Sequence, residues 1–116
     1  MHEYGSETLT EISYLVLLSL YHPNHGYGIM RFLEEHTDGR VQPGAGTLYG
    51  AINQLEKKGW ISLISQENRR KTYQVTGEGK RILQQETQRL KENYLLGETI
   101  LKETIEGGAK YGKDGI

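Results

Sequence analysis

Two short groups of residues in this chain have types and spacing that could do chemistry, and the chemistry is recognition. Gly46, Thr47, Gly50, Asn53 and Lys57 fall on one side of a helical projection. The opposite side is Leu48, Ile52 and Leu55, at i, i+4 and i+7, and Tyr49 and Gln54 lie on the flanks. Small residues at 46 and 50 let a helix come close to a groove wall. Thr47, Tyr49 and Asn53 can donate to phosphates or reach base edges, and Asn or Gln suits bidentate contact with adenine. Taken singly, each of these is also what an ordinary solvated helix face carries. Tyr49, next to Leu48, suits partial packing as well as it suits phosphate. The second group is Arg69-Arg70-Lys71. Turns are commonly charged for solubility, but three adjacent cations repel one another and gain little from folding alone. A polyanion partner accounts for them.

Charge distribution supports that reading where the total does not. The 116 residues carry a net charge of −1. From Met1 to Glu56, two basic residues face seven acidic ones, net −5. From Lys57 to Arg81, seven basic residues face two acidic ones, net +5. The remainder is close to neutral. Phosphates respond to such a local patch within a Debye length, about 10 Å at 0.1 M salt.

Other classes find little support. The histidines, His2, His22, His25 and His36, are not at metal-ligand spacing, and no metal is expected. Gly44-Ala45-Gly46 lacks the Gly-Lys-Ser/Thr of a nucleotide-binding loop, and neither a cofactor nor an enzymatic activity is expected. The longest apolar run, Tyr14–Leu18, is too short for a bilayer, which takes about 20 residues. No signal peptide opens the chain, and the absence of cysteine suits a reducing cytoplasm.

The elements that must position these residues follow from pattern. Thr8-Leu9-Thr10-Glu11 has capping-box spacing, so a first helix should start near Thr8 and stop near His22, before the Pro23-Asn24 turn. A second helix should run from Gly26 to Thr37, with Ile29, Met30 and Leu33 inward, and end at Asp38-Gly39. After an extended connector, a third helix should span Gly46 to Lys58 and stop at Gly59. Trp60–Ser65 and Lys71–Val75 read as strands, with Ile61/Leu63 and Tyr73/Val75 alternating, joined by a turn over Gln66–Arg70. Thr76 then caps a fourth helix from Gly77 to Ile105. At about 1.5 Å per residue it is roughly 43 Å long, against a radius of gyration of roughly 13 Å for a domain this size. Its stripe Leu83, Leu90, Tyr94, Leu101 and Ile105 therefore needs a cover from outside the domain. Gly97, which costs about 1 kcal/mol relative to Ala inside a helix, fits a close crossing there. The expected fold is mainly α with a small β-hairpin: a winged helix-turn-helix over 1–76, a dimerisation helix over 77–106 and a disordered tail over 107–116.

Three motifs together resemble the PadR family of bacterial transcriptional regulators. They are H-G-Y-G-I at His25–Ile29, G-T-L-Y-G-A-I-N-Q-L-E-K-K-G-W-I at Gly46–Ile61, and R-R-K-T-Y-Q-V-T-G-E-G at Arg69–Gly79. The resemblance implies a winged helix-turn-helix, a homodimer formed through the C-terminal helix, and repression at a promoter with two half-sites. By position it places Tyr27 in the second helix of the DNA-binding unit. It puts Gly46, Thr47, Leu48 and Tyr49 at the opening of the recognition helix and Arg69, Arg70 and Lys71 in the wing. A single C-terminal helix is similar to the small subfamily. Some small members bind flat aromatic compounds between tryptophans at the dimer interface. Here the only tryptophan is Trp60, at the start of the wing, and Leu90 and Tyr94 occupy the middle of the last helix.

The expected function is thus a dimeric, ligand-responsive repressor that binds double-stranded DNA at a palindromic site. A small-molecule effector is left open, and no membrane partner is expected. The alternative is a winged-helix protein-interaction module that binds no DNA, which the overall acidity favours.

Overall fold

The computed structural model describes residues 8–106. In order these form α1 (Glu11–Ser19), β1 (Asn24–His25), α2 (Gly26–His36), α3 (Ala45–Lys57), β2 (Ile61–Glu67), β3 (Arg70–Val75) and α4 (Gly77–Glu106). Two compact units divide between Glu86 and Thr87, within α4.

The first helix starts later than its capping box suggests. Thr10, not Thr8, is the N-cap, and its Oγ1 accepts the Ser13 N–H at 3.1 Å. Leu9 is held outside the helix because its N–H donates to the buried Glu86 carboxylate, Oε2, at 3.3 Å. The helix also ends earlier than expected. The Leu20 and Tyr21 N–H groups fall back on the Leu17 and Leu18 carbonyls at 3.2 and 3.1 Å. The Leu20 carbonyl then takes the Val75 N–H at 2.8 Å, which ties the end of α1 to β3. Every residue from Ile12 to Leu20 is at least partly buried, so α1 is the spine of the core. Ile29 and Leu33 of α2, Leu48, Ile52 and Leu55 of α3, and Ile82 and Leu83 of α4 belong to the same core.

The sheet has three strands, not two, in the order β1-β3-β2. β1 is two residues long and pairs Asn24 with Tyr73 and His25 with Thr72, where the sequence suggested only a turn. Two residues are too few to show alternation. The hairpin is longer than expected and its turn shorter. Glu67 pairs with Arg70, leaving Asn68 and Arg69 as a two-residue loop. Asn68 takes φ 58°, a conformation Asn tolerates and such loops require. A register shift between Leu63 and Ser65 breaks the alternation in β2, and Leu63 is exposed, contrary to the pattern.

The base of the hairpin is locked to both neighbouring helices. Helix α3 closes at Gly59 (φ 81°) with the Trp60 N–H on the Leu55 carbonyl and the Gly59 N–H on Glu56, at 3.1 and 2.9 Å. The Trp60 carbonyl accepts the Thr76 N–H at 2.9 Å. The Thr76 hydroxyl donates to the Gly59 carbonyl at 2.7 Å and accepts the Gly79 N–H at 3.1 Å, capping α4. A Cβ at Gly79 would lie 2.1 Å from the Trp60 carbonyl oxygen. Only glycine fits there.

Gly79→Ala should therefore lower unfolding free energy by roughly 2–3 kcal/mol. Gly50→Ala, at an exposed helical site with open space around it, should raise it by about 0.5–1 kcal/mol. Urea unfolding of the two variants measures both. Equal shifts would show that the Gly79–Trp60 contact is not limiting.

Candidate nucleic-acid interface

Helix α3 begins at Ala45, one residue before the expected start, with Gly44 as an extended N-cap. Glycine has no side chain with which to cap, so the first-turn N–H groups are left for solvent or a ligand. Burial of Leu48, Ile52 and Leu55 turns Gly46, Thr47, Gly50, Asn53 and Lys57 to solvent. A Cβ at Gly46 or Gly50 would meet nothing within 4 Å. The helix therefore presents bare backbone on that face, flanked by a hydroxyl, an amide and an ammonium group.

Tyr49 proves to be half packing and half surface. It is 49% exposed, yet a Cβ built on Gly26 would sit 2.1 Å from its hydroxyl oxygen. The tyrosine ring lies against the first turn of α2, and glycine at 26 makes room for it. Gly28 plays a similar part. Its missing Cβ would meet Asn24 Oδ1 at 2.0 Å, and that oxygen accepts the His25 N–H at 2.9 Å. The H-G-Y-G motif is thus a pair of steric clearances around one polar residue, Tyr27, which is 64% exposed. On the far side of Tyr49, burial pushes the Tyr73 hydroxyl pKa up, with Glu56 and Tyr49 adding to the effect. Sequence reasoning placed Tyr27 and Tyr49 but missed Asn24 and the Gly26 clearance. The closely spaced glycines were the signal for both.

At the hairpin, Arg69 occupies the loop, while Arg70 and Lys71 are already in β3, where successive side chains point to opposite faces. The arginines elsewhere in the first unit have acidic partners: Arg31 with Glu35, Arg40 with Glu11 and Arg81 with Glu78. Lys58 and Lys80 lie over the Trp60 and Tyr21 rings at 5.0 and 5.1 Å. Among the described residues, Lys57, Arg69, Arg70 and Lys71 have no ion-pair partner. The cations the sequence singled out are thus among those that carry no ion pair.

The expected dimerisation stripe divides. Leu83 is 3% exposed, because it packs into the core of its own chain, so the stripe open to a partner begins farther along. Leu90, Tyr94 and Leu101 are exposed, as are Leu95 and Leu96, and a Cβ at Gly97 would meet nothing within 4 Å. The Tyr94 hydroxyl donates to Glu98 at 2.7 Å, which holds its pKa up. The Ile105 side chain and the 107–116 tail lie outside the described residues. Among those residues, no helix is long and apolar enough to cross a membrane.

Comparison with known proteins now decides the family. The transcriptional regulator PadR-like family matches residues 14–85. The chain belongs to this family. As a PadR-like regulator it has close structural counterparts. A transcriptional regulator from Clostridium thermocellum is 26% identical with a TM-score of 0.63, over 83% of this chain and 93% of that one. A PadR family transcriptional regulator from Eggerthella lenta is also 26% identical with a TM-score of 0.61, over 82% and 81%. These neighbours make the α1–β3 arrangement a winged helix-turn-helix. An uncharacterised 37.1 kDa protein in transposon TN4556 of Streptomyces fradiae is 33% identical over 64 residues, 55% of this PadR-like chain. The chain spans only 18% of that relative's length.

The Tyr49–Gly26 fit can be tested by a double-mutant cycle. Gly26→Ala should cost about 1 kcal/mol of stability in the wild-type background and much less alongside Tyr49→Ala, a coupling of at least about 0.5 kcal/mol. Additive effects in denaturant unfolding would place Tyr49 away from α2.

Proposed function

We propose that this PadR-like chain is a dimeric DNA-binding repressor that acts at a palindromic promoter site and responds to a small ligand. The observation that carries the DNA reading is the set of unneutralised cations at Lys57, Arg69, Arg70 and Lys71 in a unit whose other arginines are paired. Such cations are free to replace condensed counterions on a phosphate backbone. In this reading α3 enters the major groove. Gly46 and Gly50 permit close approach, and Thr47, Tyr49 and Asn53 reach phosphates or base edges, while the hairpin follows the flanking backbone. Tyr27 contacts phosphate from the start of α2.

The exposed residues Leu90, Tyr94, Gly97 and Leu101 support a two-fold partner, since contiguous apolar surface of this kind is covered in most stable proteins. Two copies would then set two recognition helices about 34–36 Å apart, or a multiple, matching a palindrome. A ligand that repacks the C-terminal helix would alter this spacing and release DNA. The Thr76 junction between the hairpin and α4 supports a mechanical route for that signal.

Titration of labelled promoter duplex at several salt concentrations tests the DNA reading. Log affinity should fall with log salt by about 0.9 per phosphate contacted. Neutralising Arg69, Arg70 and Lys71 together should reduce the slope by up to about three. Failure to bind promoter DNA even at low salt would favour the protein-interaction alternative. For the interface, Leu90→Asp or Tyr94→Asp should give monomers in light scattering, and an unchanged dimer mass would exclude these residues from the contact.

A further inference from the structure

We infer that Arg31 is an additional phosphate anchor on α2 and that Glu35 holds it in reserve until DNA displaces the carboxylate. The inference rests on the DNA-binding reading above and extends it to a residue which that reading does not use.

Helix α2 contains one arginine and no lysine. Ile29 and Leu33 are buried, so the opposite side, Tyr27, Arg31 and Glu35 at successive turns, faces solvent. Side chains on a helix lean toward its N-terminus. Arg31 accordingly leans back over Tyr27, its guanidinium carbon 5.9 Å from the ring centroid. Glu35 leans back in turn, and its Oε2 accepts from Arg31 Nη2 at 2.6 Å. The hydrogen bond to Glu35, and next the proximity of Tyr27, hold the guanidinium pKa above its ordinary value. The lean has a consequence for location. It carries the cation toward the end of α2 that touches α3, because Gly26, the residue before Tyr27, is where Tyr49 packs.

The chemistry fits a phosphate. A guanidinium has five N–H donors, and Glu35 engages one of its nitrogens, leaving others to approach an anionic oxygen beside the Tyr27 hydroxyl. The pair is more than half exposed on both sides, 55% and 56%, so solvent screens it and it opens at little cost. Glu35 opposes DNA twice: it neutralises the one strong cation on α2, and it presents a negative charge of its own. Arg31 thus differs from Arg69 and Arg70, which need no release.

Fluorescence polarisation with a labelled mixed-sequence duplex of about 30 base pairs, enough for two half-sites a helical turn apart, tests this in the full chain. Wild type, Arg31→Gln, Glu35→Gln and the double variant are titrated across a salt series. Circular dichroism melts confirm that each is folded. Arg31→Gln should weaken binding and lower the salt slope by about one. Glu35→Gln should tighten binding several-fold, and most of that gain should vanish in the Arg31→Gln background. Salt-dependent binding by the wild type with an unchanged slope in Arg31→Gln would overturn the anchor alone. A Glu35→Gln gain of equal size in both backgrounds would overturn the restraint, leaving Glu35 as a bystander charge. A wild type that shows no salt-dependent binding would instead defeat the DNA reading itself, and this inference with it.

Discussion

The carbonyl of Trp60 is the point on which the first unit depends. It takes the Thr76 N–H, and it lies so close to Gly79 that no side chain can stand there. One residue earlier, the Gly59 carbonyl takes the Thr76 hydroxyl. Three elements end or begin within these few atoms: α3 closes, the hairpin leaves and returns, and α4 starts. None could shift alone without stranding a buried hydrogen-bonding group, which costs about 1–3 kcal/mol. The hairpin therefore leaves the end of the third helix in a fixed direction. That constraint ties the base of the hairpin to both helices, when the hairpin could otherwise have been a free flap.

A second constraint fixes the two central helices against each other. The Tyr49 ring occupies the space that a side chain at position 26 would need, and Asn24 occupies the space of one at 28. Each contact uses space that a missing Cβ leaves on α2, and Asn24 itself pairs with Tyr73 across β1 and β3. So a strand of only two residues connects the hairpin to the start of α2. Tyr49 belongs to this arrangement as structure first. The residue nevertheless stays 49% exposed.

What was legible in the sequence was whatever repeats along an element. The burial of Leu48, Ile52 and Leu55, the glycine stop at 59 and the Thr76 cap all follow from periodicity and local chemistry. What was not legible depends on contacts between distant residues. Thr8 and Thr10 are equally good caps in isolation. Thr10 serves because Glu86, far along the chain, takes the Leu9 N–H. Leu83 continues the apolar stripe of the last helix, yet it is buried because its turn still lies over the core. The hairpin loop shrank to Asn68 and Arg69 because Asn can take positive φ, and this lengthened both strands. At the candidate interface, the exposed face of α3 could be read directly, whereas the pairing of Arg31 could not, since Glu34 and Glu35 both lie within a helical turn of it in sequence.

Ion pairing distinguishes the two roles that basic residues play here. A chain of net charge −1 has enough carboxylates to pair every arginine and lysine. Arg40 and Arg81 are paired, and they hold Glu11 and Glu78 at depressed pKa values through hydrogen bonds. These contacts join α1 to the α2–α3 connector in one case and brace the first turn of α4 in the other. Exposed pairs of this kind add little stability. Their effect is on the electrostatic map, because each one cancels a charge locally. Among the cations left without a carboxylate partner are Lys57, at the end of α3, and the three of the hairpin. The acidic excess of residues 1–56, net −5, would disfavour a polyanion there relative to the basic segment from Lys57 to Arg81. A modest overall negative charge is therefore compatible with nucleic-acid binding, and it orients the encounter as well as limiting it.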